Sequence, residues 1–330
     1  MSILVTGAAG FIGYHAAQAL LARGETVIGV DNVNDYYDVR LKQARLALLA
    51  RHPCFTFVHA DIAERDALAA LVSEKITHVL HLAAQAGVRF SMIDPYAYVT
   101  ANVMGQVVML EFCRQLPNLA HFTYASSSSV YGVNRKLPFS EADRVDAPSS
   151  LYAATKKSAE LISHSYAHLY GLPQTGLRFF TVYGPWGRPD MAYYGFAESI
   201  MAGAPITLYE GGVLKRDFTY IDDIIAGVLG ALDRPPAAGE APLVLNIGNN
   251  RSETVNRLVE LLEQSLGRHA IVQEVPRPAA DVVETWADVD AISARTGYAP
   301  TTPLEVGIPR FAEWFLAYRA KASPRTLSLS

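Results

Sequence analysis

The sequence predicts an α/β chain, a doubly wound parallel sheet with a smaller, discontinuous C-terminal part. Three observations predict it. Short apolar runs alternate with helical patterns over the first 180 residues, as expected of parallel strands joined by crossover helices. The first run passes directly into Gly7-Ala8-Ala9-Gly10-Phe11-Ile12-Gly13 and then a helix. After Arg178 the regularity fails, and Gly, Pro and Tyr crowd the chain.

Each element follows from its local pattern. Apolar runs at 3–6, 26–30, 55–58, 78–82, 121–125 and 174–179 read as buried strands. Helical patterns occupy 11–23, which Gly24 closes, then 41–50, 65–75, 102–115 and 152–170. Residues 181–216 read as irregular around one helix at 196–202. A helix at 220–232, a strand at 243–247 and a helix at 255–266 follow. The remainder, with Pro276, Pro278, Pro300 and Pro303, reads as irregular. The expected division is therefore 1–180 with about 217–250 as one domain and 181–216 with 251–320 as the other. Residues 321–330 form a tail with little pattern, and 234–239 is a short loop.

At 330 residues, 50% of them hydrophobic, the chain can bury a sizeable core. A net charge of -4 argues against nucleic acid or anionic lipid as the main partner. Cys54 and Cys113 form no CxxC and the nine His residues show no HExxH, so no metal site is indicated. No stretch approaches the roughly 18 apolar residues of a membrane helix. The expectation is a cytoplasmic protein with no membrane partner.

Glycines 7, 10 and 13 stand where backbone N–H groups can approach a pyrophosphate at a helix N-terminus. Their GxxGxxG spacing is a variant of the dinucleotide GxGxxG. Asp31 ends the second strand, about 20 residues on, where an acid binds the adenosine ribose hydroxyls. A carboxylate there repels a 2′-phosphate and favours NAD over NADP. With Asn32 and Asn34 beside it, Asp31 has a second reading as the start of a surface turn. Asp61 either meets the adenine amino group or caps a helix.

Tyr152 and Lys156, four residues apart, share one face of a predicted helix. An ammonium beside a phenol favours the phenolate, which turns a weak acid of pKa about 10 into a base usable near neutrality. Such a pair is more often mere surface, so its context decides. The hydroxyl run Ser126 to Ser129 follows a predicted strand, at the sheet edge that faces the ligand crevice.

The glycine turn, Asp31, the serine run and Tyr152-x-x-x-Lys156 together resemble the extended short-chain dehydrogenase/reductase family, with its Rossmann-type fold. The runs 31–38, 81–89, 177–191 and 215–223 narrow the resemblance to nucleotide-sugar epimerases, most closely those acting at C4 of UDP-glucuronate. The resemblance implies that Gly7, Gly10, Phe11, Ile12, Gly13, Asp31, Asn32, Asp61, Ile62, Leu82, Ala83, Ala84, Asn102, Tyr152 and Lys156 line NAD. It makes Tyr152 the base, with Lys156 lowering its pKa, and places Ser127 and Ser129 on the sugar oxygen. C4 would be oxidised, the 4-keto sugar would turn over, and re-reduction would invert the centre to give UDP-galacturonate. The family also often forms homodimers, here through helices 102–115 and 152–170.

Related dehydratases carry an acid beside the catalytic hydroxyl, where this chain has Ser128 and Ser129. A sugar acid calls for a bidentate partner. Arg188 is the candidate, with Thr181 beside it, although Asp190 offers Arg188 a partner within the chain. Arg216 is the expected diphosphate ligand, with Arg89 and Arg277 as weaker candidates. The resemblance alone places uracil against the backbone of 205–209. Three alternatives stay open: a 4-epimerase of neutral UDP-hexoses, a UDP-glucuronate decarboxylase, and a non-catalytic NAD-binding module.

Overall fold

The structure is a computed structural model that describes residues 2–73, 75–237, 239–277 and 282–322. Strands β1 (Ser2–Thr6), β2 (Thr26–Asp31), β3 (Phe55–His59), β4 (Ile76–His81), β5 (His121–Ser127) and β6 (Gln174–Phe179) lie in one parallel sheet. A seventh strand, β11 (Leu243–Ile247), joins it far along the chain, and the order is β11-β6-β5-β4-β1-β2-β3. Chain direction across the sheet reverses between β1 and β4, which opens a crevice at their carboxyl ends. β1 and β6 are buried along their whole length, as expected where helices cover both faces of the sheet.

The first helices are α1 (Phe11–Ala22), α2 (Val39–Leu49) and the single turn α3 (Pro95–Tyr98). That turn continues through a wider π-type segment, Val99–Met104, into α4 (Gly105–Cys113). The long α5 (Leu151–Tyr170) is capped by Ser150 at its start and closed by Gly171 in the left-handed conformation. Short strands β7 (Thr181–Tyr183), β8 (Pro205–Tyr209), β9 (Lys215–Arg216) and β10 (Phe218–Tyr220) surround α6 (Ala192–Ala202). After α7 (Ile221–Leu232) come β12 (Glu253–Thr254), α8 (Val255–Leu266), β13 (Ile271–Val275), α9 (Asp290–Thr296) and α10 (Leu304–Ala322). β7 pairs with β10, β8 with β13 and β9 with β12, outside the main sheet.

Three expectations need correction. Residues 65–75 do not form a helix; only Ala69–Leu71 makes a short turn. In this stretch Leu68 alone is a buried large apolar side chain, too little surface to fix a helix. The region after residue 266 is not irregular, because β13, α9 and α10 occupy it. Helix α10 carries Pro309 in its interior, yet buries Leu304, Ile308, Phe311, Ala312 and Phe315 along one face. That helical spacing outweighs the proline. Residues 181–216 hold the expected helix as the longer α6, but with three short strands, β7, β8 and β9, rather than irregular chain around it. Ala238 of the expected loop, the stretch 278–281 and the tail 323–330 lie outside the described residues.

Candidate active site

The turn between β1 and α1 is shaped for close approach. Gly7 has φ +73°, and a Cβ on it would stand 2.8 Å from the Ala83 nitrogen. One on Gly13 would stand 2.0 Å from the Gly7 carbonyl oxygen. The turn therefore holds only glycine at these points and leaves a cradle of bare backbone at the start of α1, which suits a dinucleotide pyrophosphate. Asp31 is buried at the end of β2 and accepts from Ala9 N–H at 3.0 Å and Val33 N–H at 2.8 Å. It organises the turn from the strand end. Asp61 accepts from the Asn32 side chain at 2.9 Å and from Ala63 N–H at 2.9 Å.

The β4 edge is set by Thr6, whose hydroxyl accepts from Ala83 N–H at 3.2 Å and pairs with His81 Nδ1 at 2.7 Å. Burial pushes His81 down to about 3, so the ring is neutral. Asn102 reaches the site indirectly. Within the π-type turn its amide clamps both backbone groups of Gln85 at 2.8 and 2.9 Å and donates to Thr155 at 3.0 Å. A widened turn at such a point is common in functional sites.

Tyr152, Lys156 and Glu160 descend one face of α5 at four-residue spacing. Lys156 is buried and donates to the Ala125 carbonyl at 2.8 Å. Burial and the charge of Arg188 pull it down to about 8. Burial raises Tyr152 above its ordinary value; the Ser127 hydroxyl and the Arg188 charge lower it, and Asp190 raises it. Arg188 thus adds a second cation to the site beside Lys156, which holds the β5 backbone from the same helix face as Tyr152. Ser127 and Ser129 stay together, hydroxyls 3.2 Å apart, but by a tight turn rather than an extended strand.

Arg188 and Asp190 form a two-pronged pair, at 3.0 Å from Nε and 2.5 Å from Nη2. Burial is the largest influence and lowers the Arg188 pKa, but the charge and hydrogen bonds of Asp190, with Tyr152 and Tyr37, together outweigh it and hold the guanidinium above its ordinary value. Tyr36 donates to the same carboxylate at 3.3 Å. Tyr36, Phe90, Tyr98 and Tyr152 continue as an aromatic chain, with centroids 4.9, 6.3 and 6.0 Å apart in turn. Asp190 thus appears both as the internal partner and as part of the site wall.

The other predicted substrate contacts are held by partners of their own. Thr181 N–H donates to the Asp217 carbonyl at 3.1 Å. Arg89 stacks over the Tyr209 ring at 4.9 Å, and Arg277 bridges to the adjacent Glu210 at 3.4 Å. Arg216 donates to the Lys215 and Val283 carbonyls at 2.8 and 3.3 Å. Sequence reasoning missed two buried polar centres. One is the Glu160–Arg178 pair, at 2.8 and 2.9 Å, with Ser126 at 2.6 Å and Tyr131 at 3.1 Å. The other is Asp217, which accepts from Asn249 N–H, Thr219 and Ala287 N–H at 2.7, 2.8 and 3.0 Å. The only sequence signal for the first was a Glu one turn beyond Lys156.

A nucleotide-cradling turn at the switch point, with Tyr, Lys and Ser at the next strand edges, defines a dinucleotide-dependent enzyme of the Rossmann class. The chain belongs to the NAD dependent epimerase/dehydratase family, which it matches over residues 3–248. It is 49% identical to UDP-glucuronate 4-epimerase 1 of Arabidopsis thaliana, over 96% of this chain and 77% of that protein. Identity to a probable UDP-glucuronate 4-epimerase of Rhizobium meliloti is 46%, over 96% and 97% of the two chains. The structure of UDP-glucuronic acid 4-epimerase from Bacillus cereus, in complex with UDP-glucuronic acid and NAD, superposes with a TM-score of 0.90. That protein is 36% identical, and the match covers 96% of this chain and all of the other.

Proposed function

We propose that the chain is an NAD-dependent 4-epimerase that converts UDP-glucuronate to UDP-galacturonate. The observation that carries this reading is Arg188, held by Asp190 close enough for its charge to act on both Tyr152 and Lys156. A fixed guanidinium beside the base suits a sugar that carries a carboxylate. The relatives named above support the same substrate.

Tyr152 would take the C4 hydroxyl proton and give it back, while Ser127 and Ser129 hold the C4 oxygen. When bound, NAD supplies a hydride acceptor and donor at C4 and a positive charge beside the phenol. Gly7, Gly10, Phe11, Ile12, Gly13, Asp31, Asn32, Asp61, Ile62 and the 82–84 backbone would hold it, and Lys156 would meet its nicotinamide ribose. Arg216, Arg89 and Arg277 would serve the UDP diphosphate. The two-domain division is supported by β6 and β11 sharing the main sheet and by β7, β8, β9, β12 and β13 pairing outside it, although β10, within the 217–250 stretch given to the first domain, also pairs outside it.

A homodimer is part of the reading. It is supported by exposed apolar side chains on the two expected helices and the turn before them, including Tyr96, Met104, Leu161 and Leu169. A cytoplasmic setting is supported by two free cysteines. Among the described residues no helix is long and apolar enough to cross a membrane, and no cluster of ligand side chains could hold a metal.

NMR of the sugar C4 proton, after incubation of purified protein with UDP-glucuronate, tests the proposal. Conversion of UDP-glucose instead would favour the neutral-hexose reading, and stoichiometric CO2 release would favour decarboxylation. Absence of any turnover would leave the binding module. Arg188→Ala is expected to raise KM for the acid at least tenfold and leave KM for a neutral sugar within about threefold, whatever its effect on kcat through Tyr152. Equal loss on both would remove Arg188 from carboxylate recognition.

A further inference from the structure

Arg45 is fully buried on α2 and makes no ion pair among the described residues. Its guanidinium instead gathers backbone carbonyls from two distant segments. Nη1 donates to the Ala9 oxygen at 2.8 Å and to the Tyr37 hydroxyl at 2.7 Å. Nη2 donates to the Trp186 and Gly187 oxygens at 2.6 and 3.1 Å. Nε, also buried, has no acceptor. A buried charge with neutral partners only is costly, and a plain structural staple needs none.

The two segments it joins are the cofactor turn and the loop that presents Arg188. Ala9 is held from both sides, its N–H by Asp31 at 3.0 Å and its carbonyl by Arg45. The 185–188 loop is held in an unusual shape. Trp186, a non-glycine residue, has φ +60°. Its ring packs against Tyr14 of α1 at 5.7 Å and Trp314 of α10 at 5.2 Å. His15 of α1 bonds the Pro185 carbonyl at 3.0 Å. Burial pushes His15 down to about 4, so this bond comes from a neutral ring. The loop therefore rests on the helix whose N-terminus forms the cofactor cradle, and Arg45 closes the connection one residue from Arg188.

We propose that Arg45 is a positioning residue that locks the cofactor turn and the Arg188 loop into one unit, coupling dinucleotide seating to the grip on the sugar carboxylate. This rests on the reading of Arg188 given above. Coupling is reciprocal by thermodynamic necessity, so it is measurable from the dinucleotide side.

The test compares purified holoenzyme with Arg45→Lys and Arg45→Met. The readout is the rate at which bound NAD exchanges with labelled NAD, alone, with UDP-glucuronate and with UDP-glucose. Wild-type protein is expected to slow its exchange at least fivefold with UDP-glucuronate and less with UDP-glucose. Lysine keeps the charge but cannot fork to four acceptors. In Arg45→Lys the UDP-glucuronate effect should fall below twofold, and KM for the acid should rise more than KM for the neutral sugar. If Arg45→Met does not fold, Arg45→Lys decides. An Arg45→Lys protein with a lower melting temperature but wild-type coupling and KM would overturn the proposal and leave a staple. Wild-type protein that neither binds nor converts UDP-glucuronate would sink the functional reading instead.

Discussion

The cofactor edge and the Arg188 loop meet in one site, yet they are built by different rules. Around β1, α1 and β2 the shape follows from residues close together in the chain. Three glycines three apart make the cradle, and Asp31 reaches back to it from the next strand end. The Pro185–Arg188 stretch has no such local logic. Apart from Asp190, which pairs with Arg188 two residues on, its partners are His15, Arg45, Tyr14 and Trp314, more than 120 residues away in either direction. The proposed dinucleotide seat is fixed by local sterics. The proposed sugar contact is fixed largely by tertiary contact, so it can vary without rebuilding the fold.

Substitutions can break or sharpen that contrast. Tyr152→Phe removes the proposed base and nothing that supports either region; kcat should fall about 10²- to 10⁴-fold with NAD retention and melting temperature unchanged. A smaller loss in kcat would move the base elsewhere. Glu160→Gln attacks a brace assembled from α5, β5 and β6. Stripping one partner from a buried pair should cost about 3–5 kcal/mol in urea unfolding. A cost below about 1 kcal/mol would show that solvent reaches Arg178.

Gly13→Ala strikes the local region instead. Its Cβ at 2.0 Å from the Gly7 oxygen forces backbone to shift. The expected cost is about 1–3 kcal/mol, with NAD lost on gel filtration. If local sterics define the cradle, Arg45→Lys should by contrast retain NAD in the absence of sugar nucleotide. The mildest test concerns Asp217, where burial raises the carboxyl to about 6 from its ordinary 3.8. The folded chain then binds more protons than the unfolded one between those values, so this group's stabilisation is full below the lower value and is lost as pH rises through the upper. Relative to Asp217→Asn, wild-type stability should fall across that window by up to about 1.4 kcal/mol per pH unit. A flat difference would show that its three donors hold the carboxylate ionised.

Much of this was legible in the chain. The strands at 174–179 and 243–247 and the helix at 255–266 stand where the apolar patterns put them. Helix α10 was not legible, because Pro300 and Pro303 read as breakers while its buried face depends on packing against α8. Arg45 was hidden for a related reason. In α2 the buried face is Leu41, Lys42, Arg45 and Leu49, and two cations on it read as a solvated side.

The sequence by itself determined the sheet, the glycine cradle, the Asp31 strand end and the Tyr152–Lys156 register. All of these depend on spacing, which local geometry converts into position. Only the tertiary structure decided that a second cation, Arg188, joins Lys156 at the site, because that is a matter of distance and burial. Lys156 comes from the same helix as Tyr152 and also holds the Ala125 carbonyl, while Arg188, 36 positions along, is brought close enough for its charge to oppose the burial that raises the phenol's pKa. Coulombic interaction follows separation in space, and only folding sets that separation.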